Sequence, residues 1–99
     1  MTDKLLEIIN HYGVNNQQRK LEEEVFELQE IIRDYEFSKD NFPKQHKICE
    51  KQFKEHIAEE IADVTVMLLQ FKEYYHIDGN DILKIMNEKI DRQLERLKK

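Results

Sequence analysis

This chain has only two glycines and one proline among its 99 residues, and that scarcity limits what it can fold into. Tight turns between strands depend on glycine, proline and a few similar residues, so a sheet of several strands is not expected. Apolar residues instead recur at intervals of three and four, which is typical of amphipathic helices. We therefore expect an all-α fold in a single domain that spans residues 1–99.

The helical spacing predicts four helices that form a bundle-like protomer. The first is short and ends near Gly13, and the second covers residues 16–35. A polar stretch follows, in which Pro43 is the only strong helix breaker. The third helix is expected to begin between residues 46 and 53, and Asp78 is the predicted N-cap of the fourth.

The third helix is apolar on two opposite sides. Its segment from residue 57 to 71 reads IAEEIADVTVMLLQF, and one side carries Ala58, Ala62, Val66 and Leu69. A helix that is apolar nearly all round must be buried nearly all round. A single short chain can hardly cover both sides, so we expect a homo-oligomer, either a dimer or a dimer of dimers.

Composition excludes several kinds of partner and compartment. The formal net charge is −5, which argues against a basic face for nucleic acid. No apolar run approaches the roughly 18 residues of a membrane span, and the N-terminus does not resemble a signal peptide. Cys49 is the only cysteine, so an internal disulfide cannot form and a cytoplasmic protein is expected.

Two pairs of carboxylates lie where the helices should be apolar. Glu24 and Glu27 are spaced i, i+3, and so are Glu60 and Asp63. On a helical wheel that starts at Leu21, the apolar stripe includes Val25, Leu28 and Ile32. Glu24 lies about 60° from Leu21 and Glu27 lies at the stripe's edge. Glu60 and Asp63 take the same positions on a wheel that starts at Ile57, whose stripe includes Ile61 and Leu68. Two helices therefore carry the same pair on the same side.

Four carboxylates that converge would repel one another strongly, and a favourable interaction must offset this repulsion. Buried carboxylates are costly unless they are paired or bound to a metal, and a hard divalent cation such as Mg²⁺ or Mn²⁺ suits oxygen ligands. The spacing alone fits a solvated helix flank equally well. His46, Cys49 and His56 offer a weaker metal pattern, because they lack the paired spacing of a structural zinc site.

Two motifs resemble the MazG-like all-α nucleoside triphosphate pyrophosphohydrolases. The second helix contains E-E-x-x-E-L, preceded by Gln17 and Lys20, and the third contains E-E-x-x-D-V. The final helix contains an N-x-K segment, which is frequent in that family. The resemblance extends over about residues 16–97.

The resemblance implies hydrolysis of a nucleoside triphosphate to a monophosphate and pyrophosphate, in clearing or controlling the nucleotide pool. It implies Mg²⁺ on the four carboxylates of the two pairs. Glu23 or Glu59 would hold a second metal or accept a proton from water. Lys20, Asn87 and Lys89 would bind substrate, although Lys20 fits an ordinary ion pair with Glu24 equally well.

The segment between the two acid motifs departs from the family. The gap is longer than in many members, and the excess falls in residues 34–55, so we expect a longer connection or an extended third helix. The chain also lacks tryptophan, which some relatives place around the base.

Two alternatives come from other classes of protein. A helical-bundle interaction module explains the apolar stripes but not the acids within them. A di-iron carboxylate bundle needs Glu-x-x-His pairs on two helices, and the sequence does not supply two.

Overall fold

Four helices account for nearly all of the chain. The computed structural model describes residues 2–99, and its helices are α1 (Thr2–Tyr12), α2 (Val14–Asn41), α3 (Pro43–Tyr74) and α4 (Gly79–Leu97). No strand occurs among the described residues. The all-α prediction is therefore confirmed.

A single glycine separates α1 from α2. Gly13 has a φ of +89°, which crowds the Cβ of any other residue. Its N–H donates a hydrogen bond to the carbonyl oxygen of Ile9 at 2.8 Å, and this bond closes the last turn of α1. The predicted end of the first helix near Gly13 is confirmed.

Of the two expectations for residues 34–55, the extended third helix is present and the longer connection is not. The expected polar loop is helical, and only Phe42 separates α2 from α3. The predicted end of the second helix at residue 35 and the predicted start of the third between residues 46 and 53 were therefore wrong. Pro43 occupies the start of α3, where its missing N–H has no helical partner to lose. The extra length of residues 34–55 thus lengthens both arms of a helical hairpin.

The first three helices pack together and leave a small core. α1 contacts both arms of the hairpin, mainly α3, and the arms contact each other along their length. The buried apolar side chains are Leu5, Ile9, Ile31 and Met67. Several polar side chains are also buried, so the interior of this unit is more polar than is usual for a small helical protein.

The fourth helix projects from this unit. The N–H of Ile77 donates to the carbonyl oxygen of Lys72 at 3.0 Å, and the N–H of His76 donates to that of Glu73 at 3.1 Å. Asp78 then caps α4 by accepting a hydrogen bond from the N–H of Asn80 at 2.8 Å, as predicted. These bonds fix the direction in which α4 leaves.

A closed four-helix bundle does not form within one chain. α4 makes almost no contact with the other helices, and it has no buried residue. Its apolar side chains remain exposed, namely Leu83, Ile85, Met86, Ile90, Leu94 and Leu97. None of the helices between residues 2 and 99 has the length and apolar character needed to cross a membrane.

Candidate metal centre

Three of the four predicted acids converge between α2 and α3. Glu24, Glu60 and Asp63 each offer one carboxylate oxygen, and these oxygens lie within 4.8 Å of one another. Glu24 and Glu60 are buried, with 7% and 9% of their surface exposed, whereas Asp63 is exposed. We call these three residues the acid triad.

Two oxygens of the acid triad are buried without a partner. Oε2 of Glu24 and Oε2 of Glu60 are inaccessible to solvent and accept no hydrogen bond. A buried charged oxygen without a partner costs several kilocalories per mole, and two close carboxylates also repel each other. A bound cation would satisfy both oxygens and cancel the repulsion, so the residues present fit a divalent metal.

Glu24 and Glu60 are buried because of the way the two hairpin arms face each other. The most buried positions of α2 are Gln17, Glu24 and Ile31, which are spaced by seven residues and therefore share one helix face. Glu60 and Met67 share a face of α3 in the same way. The contact is thus centred on the acids and not on the apolar stripes. Parts of both stripes remain exposed as a result.

Lys20 is the cation that lies closest to the acid triad. Its Nζ is 3.1 Å from Oε1 of Glu24 and 3.8 Å from Oε2 of Glu23. The hydrogen bond with Glu24 and the charge of Glu24 raise the pKa of Lys20 above its ordinary value. The predicted ion pair is present, and the lysine is half exposed, so it remains available to an anionic ligand.

Glu27 lies beside the acid triad but is not one of its three members. It is exposed and lines a cleft of about 240 Å³ between α2 and α3. The charge of Glu24, followed by desolvation and the charge of Glu60, raises the pKa of Glu27. The four predicted ligands are therefore close enough to repel, although only three present oxygens to a common point.

The other predicted site residues lie outside the acid triad. Glu23 and Glu59 are exposed and do not belong to it. Asn87 and Lys89 are exposed on α4, which the chain does not bring to the hairpin. The structure thus joins Lys20 to the acids and leaves the two α4 residues apart from them within one chain.

Lys20 also lines a second cleft. Its volume is about 590 Å³, and it lies where the end of α1 meets α2 and α3. The lining includes Tyr12, Asn16, Gln17, Arg19 and Gln70. Nε2 of Gln17 donates to Oε1 of Gln70 at 2.7 Å, and both glutamines are buried. In the sequence, the spacing of seven residues places Gln17 on the same helix face as Glu24. No sequence signal indicates that Gln17 pairs with Gln70.

In the sequence His56 was noted only as part of the weak zinc pattern and not for its spacing from Glu60. Its Nε2 lies 3.6 Å from Oε1 of Glu60, and its side chain is 54% exposed. The signal was present, because His56 precedes Glu60 by four residues and so lies on the same helix face. It was obscured by the weak zinc pattern with His46 and Cys49. His46, Cys49 and His56 all lie outside the one metal-like group among the described residues.

The chain matches no protein-family model, and no curated protein or solved structure matches it. Function must therefore be inferred from the site itself.

The site combines three elements that suit a polyphosphate. Converging carboxylates can hold a hard cation, and Lys20 stands beside them. The larger cleft adds Arg19, an aromatic ring and several amides. Carboxylate-bound Mg²⁺ that shares substrate phosphates is a common arrangement in proteins.

Proposed function

We propose that this protein is a Mg²⁺-dependent nucleoside triphosphate pyrophosphohydrolase of the MazG-like type. The observation that carries the proposal is the pair of unpartnered, buried carboxylate oxygens on Glu24 and Glu60. They belong to the two helices that hold the E-E-x-x-E and E-E-x-x-D motifs. Burial of two such groups against each other has no benefit for folding, so a ligand is the simplest reason for it.

The acid triad would hold the metal, with Glu27 within reach as a fourth ligand. A bound Mg²⁺ would neutralise phosphate charge and orient a water molecule. The chain's own residues would do the remaining work. Lys20 would exchange its contact with Glu24 for a phosphate oxygen, and it would stabilise negative charge as the bond between the α and β phosphates breaks.

The larger cleft would seat the nucleoside. Tyr12 offers a ring for stacking, and the paired amides of Gln17 and Gln70 can present a donor or an acceptor to a base. Arg19 and Lys20 at the same cleft would direct the phosphates toward the acid triad. Glu23 and Glu59 are the candidates to accept the proton from water, because both are exposed and each precedes a residue of the acid triad.

The protein would act as a homo-oligomer, at least a dimer. The predicted contact face of α3 is exposed at Ala58, Ala62 and Val66, and the apolar stripe of α4 is exposed as well. After its hydrogen-bonded connection, α4 leaves the hairpin and makes almost no contact with it. A second copy can cover both surfaces at once, since each chain offers a projecting helix and an uncovered face.

Charge favours the same arrangement. Residues 79–99 contain six Lys or Arg and four Asp or Glu, a net charge of +2, whereas residues 1–78 have a net charge of −7. Lys89, Arg92 and Arg96 follow one another along one flank of the α4 stripe. Packing of α4 on a second copy's hairpin would bring this basic flank, and Asn87, toward acidic surface and bound phosphate.

A helical-bundle interaction module is the second candidate. The exposed apolar side chains of α3 and α4 favour it, because large apolar patches mark contact surfaces. It leaves the buried carboxylates without a reason.

A nucleotide screen tests the proposed activity. The unmodified protein is incubated with Mg²⁺ and a panel of natural and damaged ribo- and deoxyribonucleoside triphosphates, and the products are separated by ion-exchange chromatography. Monophosphate and pyrophosphate are expected, and Glu60→Gln should form neither. Orthophosphate with diphosphate would show that a different bond is attacked. No turnover of any nucleotide, in a protein that binds Mg²⁺, would overturn the proposed activity and leave the metal site.

A further inference from the structure

One side-chain hydrogen bond joins the open ends of the two hairpin arms. Nε2 of Gln17 donates to Oε1 of Gln70 at 2.7 Å, on the side of the acid triad that faces away from the link at Phe42. The other side-chain hydrogen bonds between the arms lie near that link, where the chain itself holds the arms together. Between residues 2 and 99, no ion pair joins α2 to α3. The glutamine pair is therefore the directional contact that holds the open ends.

The glutamine pair is buried, and the orientation of its amides is fixed. Gln17 is 7% exposed and Gln70 is 2% exposed. Nε2 of Gln70 donates to the sulfur of Met67 at 3.7 Å. A thioether sulfur accepts a hydrogen bond but cannot donate one, so the amide oxygen of Gln70 has to face Gln17. Loss of one amide would leave the other buried without its partner, which is unfavourable.

The glutamine pair lies in register with the acid triad. Gln17 precedes Glu24 by seven residues, and Gln70 follows Asp63 by seven. Each glutamine is thus two helical turns from an acid, about 10 Å along the axis, and on nearly the same side of its helix. Because the arms of a hairpin are antiparallel, the contact of the two glutamines sets which residues of the arms face each other at the acids.

A different rotation of the arms would bury more apolar surface. Ile32 on α2 and Ile61 on α3 belong to the apolar stripes but are 44% and 50% exposed. Rotation of the stripes toward each other would cover them and separate the repelling carboxylates. On the wheel of α3, Gln70 lies about 140° from Ile57, well outside the stripe. That rotation would therefore break the bond between Gln70 and Gln17.

We propose that Gln17 and Gln70 are positioning residues, whose hydrogen bond fixes the rotation of the two arms and so assembles the acid triad before a metal arrives. The inference rests on the proposed function, because the acid triad has to be the metal site. A buried polar contact suits this role, since one polar pair between helices can select a single register at a cost in stability. The metal then meets ligands that are already in place.

A merely structural pair is the competing explanation. In that case, Gln17 and Gln70 support the fold and have no separate effect on the acids. An apolar pair that packs equally well would then leave metal binding unchanged. The two explanations therefore differ in whether metal affinity can be lost while stability is kept.

The test compares the affinity for Mg²⁺ with stability in Gln17→Leu/Gln70→Leu, without nucleotide. The two changes remove both amides together, so neither is left unpartnered. The melting temperature in EDTA should equal or exceed that of the unmodified protein, because apolar side chains replace a buried polar pair. The Kd for Mg²⁺, measured by calorimetry, should rise at least about tenfold, as is typical when residues that orient metal ligands are lost.

Ile31→Leu is the matched control. Ile31 is buried and lies seven residues from Glu24 on the other side, so its replacement alters packing at the same distance from the acids without removing a hydrogen bond. Its Kd for Mg²⁺ should change less than about twofold, because apolar exchanges that conserve volume are well tolerated. If the leucine pair melts below the unmodified protein, Gln17→Met/Gln70→Met repeats the test with side chains that are unbranched at Cγ, as glutamine is.

The outcomes separate the positioning role from the proposed function. An unchanged Kd in a folded double variant would overturn the positioning role and leave the acid triad as a metal site. An equal loss of affinity in Ile31→Leu would also overturn it, because general packing would then be the cause. Loss of the helical circular dichroism signal in both double variants would mean that the pair is required for folding itself, which again overturns the inference. No Mg²⁺ binding by the unmodified protein would overturn both proposals.

Discussion

Glu60→Gln should stabilise the protein without metal and abolish its response to metal. Oε2 of Glu60 is buried and unpartnered, and ligand oxygens of Glu24 and Glu60 lie within 4.8 Å of each other. Two unit charges at that distance repel by about 3 kcal/mol in an effective dielectric of about 20. Glutamine retains the shape of the side chain and removes the charge, so most of this energy is recovered.

The net stabilisation is smaller than the repulsion, because Glu60→Gln also removes a favourable contact. The contact between Glu60 and the half-exposed His56 is worth at most about 1 kcal/mol. A net stabilisation of about 2 kcal/mol remains, which corresponds to a rise in melting temperature of roughly 8–16 °C for a chain of this size. Saturating Mg²⁺, at about 100 times its Kd, should stabilise the unmodified protein by about 2.7 kcal/mol. It should not stabilise Glu60→Gln.

Thermal melts in EDTA and in Mg²⁺, at one protein concentration, measure both effects. The variant should melt above the unmodified protein in EDTA, and the two should melt at similar temperatures in Mg²⁺. Glu55→Gln controls for the general effect of removing an acid, because Glu55 is an exposed residue of the same helix. A lower melting temperature for Glu60→Gln in EDTA would refute the repulsion. If Mg²⁺ still raises the melting temperature of Glu60→Gln, the metal site is refuted.

Three further predictions concern assembly, the shared site and pH. Ile90 is half exposed on α4, so Ile90→Glu would place an unpaired charge in the contact between chains. This variant should have a mass of 12.1 kDa by light scattering. The same mass for the unmodified protein would contradict oligomer formation. If each site of a dimer uses Glu60 from one chain and Lys89 from the other, mixing Glu60→Gln with Lys89→Ala should restore about one quarter of the activity. Half of the dimers are then mixed, and one of the two sites in each carries neither substitution. No recovery would mean that the sites are not shared. The hydrogen bond from Lys54, with that from Tyr35, lowers the pKa of Glu50 from 4.5. This stabilisation is therefore complete above pH 4.5 and is lost as pH falls through the lowered pKa. Urea denaturation should show Lys54→Gln to be less stable than the unmodified protein at pH 7, and this difference should shrink as the pH falls below 4.5.

The sequence predicted the number of helices because its periodic signals are local. Gly13 and Asp78 act through the backbone of their own neighbours, and both positions were predicted correctly. The start of α3 was wrong because a proline can end one helix or begin the next. The helix propensities of the polar residues before Pro43 do not distinguish a loop from a helix. The contacts between the two arms of the long hairpin favour the helical conformation of this segment.

The acid pairs show the limit of a helical wheel. The wheel placed Glu24 and Glu60 within the apolar stripes, and the structure buries both. It also gave Glu27 and Asp63 equivalent positions, yet only Asp63 joins the acid triad. A wheel describes one helix at a time, and the rotation of each helix about its axis depends on its neighbours. The pairing of Gln17 with Gln70, which are 53 residues apart, depends on the same rotation.

The same rotation explains both the buried acids and the exposed apolar residues. On α3, Ile61 and Leu68 belong to the predicted stripe but are about half exposed, as is Ile32 on α2. Each hairpin arm turns its acid side toward the other arm, and so it turns part of its stripe away. For a lone chain this is unfavourable twice, because it buries charge and exposes apolar surface. A cation between the arms offsets the first cost and a second copy over the exposed stripes offsets the second, so metal binding and assembly should stabilise each other. Sedimentation of the unmodified protein in Mg²⁺ should therefore show tighter association than sedimentation in EDTA, whereas equal association in both would mean that the two are independent.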